Sequence, residues 1–215
     1  LVRESSRSIV EFIRGVETSL RAGADMLSLA PQERILKPFL IRYGHLLQGL
    51  ALIGADGDVV QMHPSAAVAA DAVQTLRQHI TQASSAGRDI FYSDIMALSG
   101  DARRDISFVI GVAVPRTRQW LCGVVNFSEI KQRLVYPLRS GRTGYAWMID
   151  SAGVLLAHPN TAMEGRKAIE VLRELWPEYS SFNLEVIIDR AMTRGEEGKG
   201  EYTGWHFGEK ELTKK

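Results

Sequence analysis

The chain has one cysteine among 215 residues, so no internal disulfide can staple it. That residue, Cys122, stands in the apolar run Trp120 to Val125, where a small buried hydrophobe is expected. Lack of disulfides fits the cytoplasm and also a bacterial periplasm, so cysteine usage leaves the compartment open. No stretch reaches the roughly 18 to 20 apolar residues of a membrane helix, and the N-terminus lacks the apolar centre of a signal peptide. Charge of one sign is missing too: 26 Lys and Arg face 25 Asp and Glu, for a formal net charge of +1. The basic residues are scattered, with only short pairs such as Arg103-Arg104 and Lys214-Lys215, which argues against a nucleic-acid partner. Catalytic signatures are equally scarce. There is no Gly-rich phosphate loop with lysine, no paired-cysteine metal site, no pair of histidines at helical spacing and no Gly-x-Ser-x-Gly. His45, His63, His79, His158 and His206 lie far apart in sequence. No catalytic residue, metal or cofactor is therefore expected.

What is present is a repeat. The segment from Gly49 to Pro64 returns about 95 positions later as Gly144 to Pro159. Each copy reads as an apolar strand, a tight turn at Asp56-Gly57 or Ser151-Ala152-Gly153, a second apolar strand and a His-Pro stop. With 45% hydrophobic residues the chain can bury a real core, and the duplication favours two small domains over one large one.

From Arg3 to about Ala30, Ile9, Ile13, Val16, Leu20, Gly23 and Leu27 fall at alternating steps of four and three, the mark of a helix with one narrow seam. Arg7, Glu11, Arg14, Glu17 and Arg21 lie off that seam. Such a helix either packs on its own domain or pairs with its twin in a dimer, and different faces allow both. Gln32 to Tyr43 is a second helix, and Ala66 to Ala83 a connecting one after the hairpin Leu46 to Met62. Strands are expected at Ile90 to Ile95, Ile106 to Val114 and Trp120 to Phe127. In the second half the hairpin Tyr145 to Ala157 is followed by helices at Ala168 to Trp176 and Phe182 to Met192, then a strand from Gly200 to Phe207. No segment remains for fourth and fifth strands there. The chain opens at Leu1 and stops after Lys214-Lys215, so it reads as a segment of something longer, whose flanks could hold membrane helices.

This pattern resembles the double Cache family of extracytoplasmic sensor domains, whose Gly-Tyr-x-x-x-Ile-Asp-x-x-Gly-x-Leu-x-Ala-His-Pro stretch is matched closely by Gly144 to Pro159. The resemblance implies an α+β fold: a long N-terminal helix followed by two tandem PAS-like lobes with antiparallel sheets, the second incomplete at the C-terminus. Its divisions are 1–44 for the helices, 45–135 for a membrane-distal lobe and 136–215 for a membrane-proximal lobe. It further implies the periplasmic part of an inner-membrane receptor, with a sensor histidine kinase the leading output and chemoreceptors or cyclic-dinucleotide enzymes others. A small ligand would enter the first lobe, and the N-terminal helix would pass the change to the membrane and support a homodimer. The alternative is a dimerisation or protein-interaction module that binds no small molecule.

Within the motif the residues do structural work first: Asp150 and Gly153 serve the turn, and His158, like His63, is expected to be a satisfied turn or core histidine. Candidate ligand contacts fall on the third strand, where alternation would set Tyr92 and Asp94 on one face. Family members that bind amino acids and amines carry a similar Tyr-x-Asp, with the acid holding an ammonium. The Arg and Trp-Tyr that accompany it are absent, Arg42-Tyr43 being a partial echo. The other reading of Asp94 is a loop cap or an ion pair with Arg103 or Arg104. Arg42, Tyr43, His45 and Ser107 are secondary candidates. An arginine facing the cavity would suit a carboxylate ligand, because its planar fork matches two oxygens.

Overall fold

In the computed structural model, residues 2–29, 35–64, 70–97, 106–140, 144–175, 177, 182–199, 203–205 and 212–214 are described. The apolar seam forms helix α1, Val2–Leu27, with Val16, Leu20, Ala24 and Leu27 buried. Two compact units follow the chain, Leu1–Leu134 and Val135–Lys215.

The first unit continues with α2 (Leu36–Tyr43), the hairpin strands β1 (Leu47–Gly54) and β2 (Val59–His63), and helix α3 (Ala70–Ser85). Strands β3 (Ile90–Tyr92), β4 (Met96–Ala97), β5 (Ile106–Ser107), β6 (Val109–Ala113) and β7 (Gln119–Val125) complete it. Five of these form an antiparallel sheet in the order β2-β1-β7-β6-β3, which leaves β2 and β3 as edges. Both faces are covered, so β1 and β7 are almost wholly buried rather than alternating with solvent. On one face Ala51, Ile53, Phe91, Val109, Trp120, Cys122 and Val124 pack with Ala72, Leu76, Ile80 and Ala83 of α3. Cys122 is the expected core residue, and burial pushes its thiol well above the ordinary range.

The other face belongs to α1, which lies on β6 and β7. Two glycines let it come close. A Cβ at Gly123 would stand 2.8 Å from the side chains of Leu20 and Leu47, and one at Gly23 would stand 2.9 Å from Phe39 and 3.0 Å from Leu121. The smallest residue on each surface thus receives a large one from the other.

The third strand ends earlier than its apolar pattern predicts. Ser93 still donates its N–H to the Val109 carbonyl at 2.9 Å, but Val109 returns its own N–H to the Ser93 hydroxyl at 2.8 Å. A side chain has replaced the next carbonyl of the ladder, and the chain leaves the sheet before Asp94. Beyond it β4 pairs with β5 as a separate two-stranded ladder, and Phe108 divides the fourth strand into β5 and β6.

After a short helix α4 (Phe127–Glu129) and a wider turn of helix over Ile130–Val135, the second unit holds three two-stranded ladders among its described residues. These are β8 (Arg139–Ser140) with β9 (Gly144–Tyr145), β10 (Met148–Ile149) with β11 (Leu155–Ala157), and β12 (Thr203–Trp205) with β13 (Leu212–Lys214). The last adds a short strand where the sequence reading had none. Helices α5 (Ala168–Leu175) and α6 (Phe182–Arg190) build a core of Leu155, Met163, Ala168, Val171, Leu184 and Ile188.

The two hairpins share one hydrogen-bond design. Gly54 takes the Asp58 carbonyl and Gly57, at φ +85°, donates back to Gly54; Asp150 and Gly153, at φ +77°, do the same with Val154. Both strand pairs also carry a one-residue bulge, skipping Val60 and Leu156. This structural match runs one residue further along than the sequence match, so Asp150 occupies the place of Gly54 and His158 is not the equivalent of His63. His158 is a buried turn histidine. Its Nδ1 accepts the Asn160 N–H at 3.0 Å, its own N–H donates to Glu164 Oε1 at 3.0 Å, and its ring meets Tyr145 edge-on. Burial holds the imidazole below its ordinary pKa.

Candidate functional site

The candidate site is the β3 edge of the first unit, where consecutive residues face different elements. Phe91 points toward α3, filling the gap above Gly111 and stacking on His79 with ring centroids 5.7 Å apart and planes 5° from parallel. Tyr92 points the other way, toward α1. Once the strand has ended, Asp94 swings to the α3 side, with its carboxylate 4.0 Å from His79 Nε2 and 94% exposed. Tyr92 and Asp94 therefore do not share a face as strand alternation had implied. The reason is the early exit at Ser93. Asp94 is not a mid-strand carboxylate, and Arg103 and Arg104, its expected alternative partners, lie outside the described residues.

Tyr92 joins a polar chain that includes Glu17 and Arg21, which the sequence places off the seam of the first helix. Its hydroxyl donates to Glu17 Oε2 at 2.8 Å; Arg21 donates Nε to Glu17 Oε1 at 3.1 Å and Nη1 to Asp89 Oδ2 at 2.7 Å. The Tyr92 hydroxyl, seconded by Arg21, holds the Glu17 carboxyl below the usual carboxylate range. Partial burial, reinforced by Glu17, raises the Tyr92 phenol, and Arg21 lowers Asp89. The one hint in the sequence was the four-residue spacing of Glu17 and Arg21 beside the seam.

The remaining candidates stand elsewhere. Ser107 is fully buried and spends its hydroxyl on the Val125 carbonyl at 2.7 Å, tying β5 to the end of β7. Arg42 and Tyr43 close α2, which packs on β1 and β2; the Arg42 guanidinium lies 5.8 Å from the Tyr43 ring centre, and Tyr43 leans on Phe39 at 4.5 Å. His45 is exposed in the following turn. Three strand spacings, roughly 14 Å, separate β1 from β3. So the structure groups Asp94 with His79 and Phe91, which the sequence reading missed as neighbours, and leaves Arg42, Tyr43 and His45 at the opposite edge. Among the described residues no group of three or more His, Cys, Asp or Glu is placed to hold a metal ion, and no helix is long and apolar enough to cross a membrane.

A long helix laid on one face of an antiparallel five-stranded lobe, followed by a smaller lobe with a copied hairpin, defines a tandem α+β architecture. Solved structures share it. The ligand-binding domain of the Pseudomonas aeruginosa amino acid chemoreceptor PctC, in complex with GABA, superposes with a TM-score of 0.61 at 17% identity, covering 96% of this chain and 85% of that one. The corresponding domain of Pseudomonas aeruginosa PctB with L-Gln gives 0.53 at 19% identity over 81% and 71% of the two chains. That of Pseudomonas fluorescens CtaA with L-isoleucine gives 0.56 at 14% over 85% and 74%. The chain thus has the double Cache fold expected from its sequence. No family model matches the sequence, and no curated protein matches it.

Proposed function

We propose that this chain is the periplasmic sensing domain of a bacterial inner-membrane receptor, and that its first lobe, 45–135, binds an amino acid or amine at the β3 edge. One observation carries the reading: the three-residue stretch Tyr92 to Asp94 holds a ligand-ready carboxylate at one end and a side chain bonded to the long helix α1 at the other. Asp94 commits its charge to no strong partner among the described residues, with only His79 nearby, so it can receive an ammonium. Ser93 and Tyr92 connect it through the Glu17 bond to α1. A ligand that draws Asp94 inward moves the strand end and, through Tyr92, the helix. The solved domains of this fold with amino acids bound support the ligand class. Two copies pair through α1, and the output domain beyond the chain is a histidine kinase or a chemoreceptor signalling domain.

A thermal-shift screen of amino acids, GABA, other amines and small carboxylates tests the proposal. At a hundredfold excess over Kd a ligand adds about 2.7 kcal/mol, which for a chain of this size raises Tm by roughly 5 to 10 °C. A panel without any shift would refute it. The second reading, an interaction module that binds no small molecule, draws on the solid apolar packing beneath α3. It predicts a flat screen together with dimers whose stability depends on α1.

A further inference from the structure

The far end of the first unit has a concavity that the sensing proposal does not use. It is a cleft of about 370 Å³, within the size range of metabolite pockets, between the end of α3 and the β6-β7 turn. Trp120, only 4% exposed, helps to line it, and Arg88, Arg118 and Ser84 stand around it. Among the described residues no acidic side chain lines it. Among the described residues neither Arg88 nor Arg118 has an ion pair or side-chain hydrogen bond. Two arginines without an ion pair, both lining one hollow in a chain whose charges nearly balance, raise the local potential for anions.

Both arginines are held on fixed backbone. Arg88 follows Gly87, whose φ of +62° closes α3 in a left-handed cap; Ala86, Gly87 and Arg88 donate to the carbonyls of Gln82, Ser84 and Ala83. Those carbonyls, which would repel an anion, are thereby occupied. Arg118 sits in a turn locked by the Val114 N–H on the Gln119 carbonyl at 2.8 Å and by the Thr117 hydroxyl, which donates to Val114 and accepts from Gln119. Arg116, in the same turn, is drawn away to Ser28 by a 3.1 Å bond. Positions set in advance reduce the ordering cost of binding.

We infer that this cleft is an anion site, in which Arg88 and Arg118 together clamp the carboxylate or phosphate oxygens of a small ligand, with the Ser84 hydroxyl as an additional donor. It is separate from the Asp94 edge, and the sensing proposal does not depend on it. Isothermal titration of the 215-residue chain with pyrophosphate and with succinate, at constant ionic strength, tests the inference. Saturable one-to-one binding of either probe is expected, and the tighter one identifies the preferred oxyanion. Arg88→Gln and Arg118→Gln should each weaken it about tenfold or more, while Asp94→Ala leaves it unchanged. Both arginines are exposed, so circular dichroism should show folded variants. Absence of saturation with both probes, or equal binding by the doubly substituted chain, would overturn it.

Discussion

Gly111 shows how closely the space beneath α3 is filled. A Cβ there would fall 2.0 Å from the ring of Phe91, which is itself wedged between His79 and Trp120. Gly111→Ala should therefore destabilise the chain by about 1–3 kcal/mol, read from urea unfolding. Tyr92→Phe removes one hydroxyl from Glu17 and should cost about 1 kcal/mol. Its pH signature is more telling. Because the Glu17 pKa is lowered in the folded chain, the stability it contributes is complete above the unfolded carboxyl value and is lost as pH falls through the folded one. Stability measured against pH should decline less steeply in acid for Tyr92→Phe than for the parent. His158 acts at higher pH. Its folded pKa is lowered by burial, so the unfolded chain takes up the proton first and stability falls as pH drops below the ordinary histidine value of about 6.5. His158→Asn should flatten that part of the curve, and an unchanged curve would remove His158 from the account.

Among the elements, α1 and the hairpins were the most legible in sequence, because each carries its own period. The steps of four and three predicted which side of α1 meets the sheet, and the turn residues at Asp56-Gly57 and at Ser151-Ala152-Gly153 predicted both hairpins. Leu20 at the centre of that seam, buried above Gly123, should cost about 2–5 kcal/mol when cut to Ala. The β3 edge was less legible. An apolar run from Ile90 to Ile95 reads as one strand, and nothing local shows that the Ser93 hydroxyl will end the ladder after Tyr92 and send Asp94 to the other side. The Glu17, Arg21, Asp89 and Tyr92 chain was hidden for a different reason: it joins residues up to 75 positions apart, which no periodicity reports. Ser107 was misleading in its own way, since a hydroxyl near a proposed cavity turned out to bond a strand carbonyl.

On the scale of the whole molecule, the five-stranded sheet and the helices on both its faces lie within the first 134 residues. A polypeptide of residues 1–135 should fold by itself and unfold cooperatively, as followed by circular dichroism, and should keep the ligand response of the full chain. The central claim is that this first lobe takes up a small molecule at the edge where Asp94 stands. Calorimetric titration of the parent chain and of Asp94→Ala with the best compound from the screen tests it most directly. The account predicts saturable one-to-one binding by the parent and at least a tenfold loss in the variant, whose fold is intact because the carboxylate is almost fully exposed. Equal binding by both chains, or no saturable binding by the parent, would contradict it.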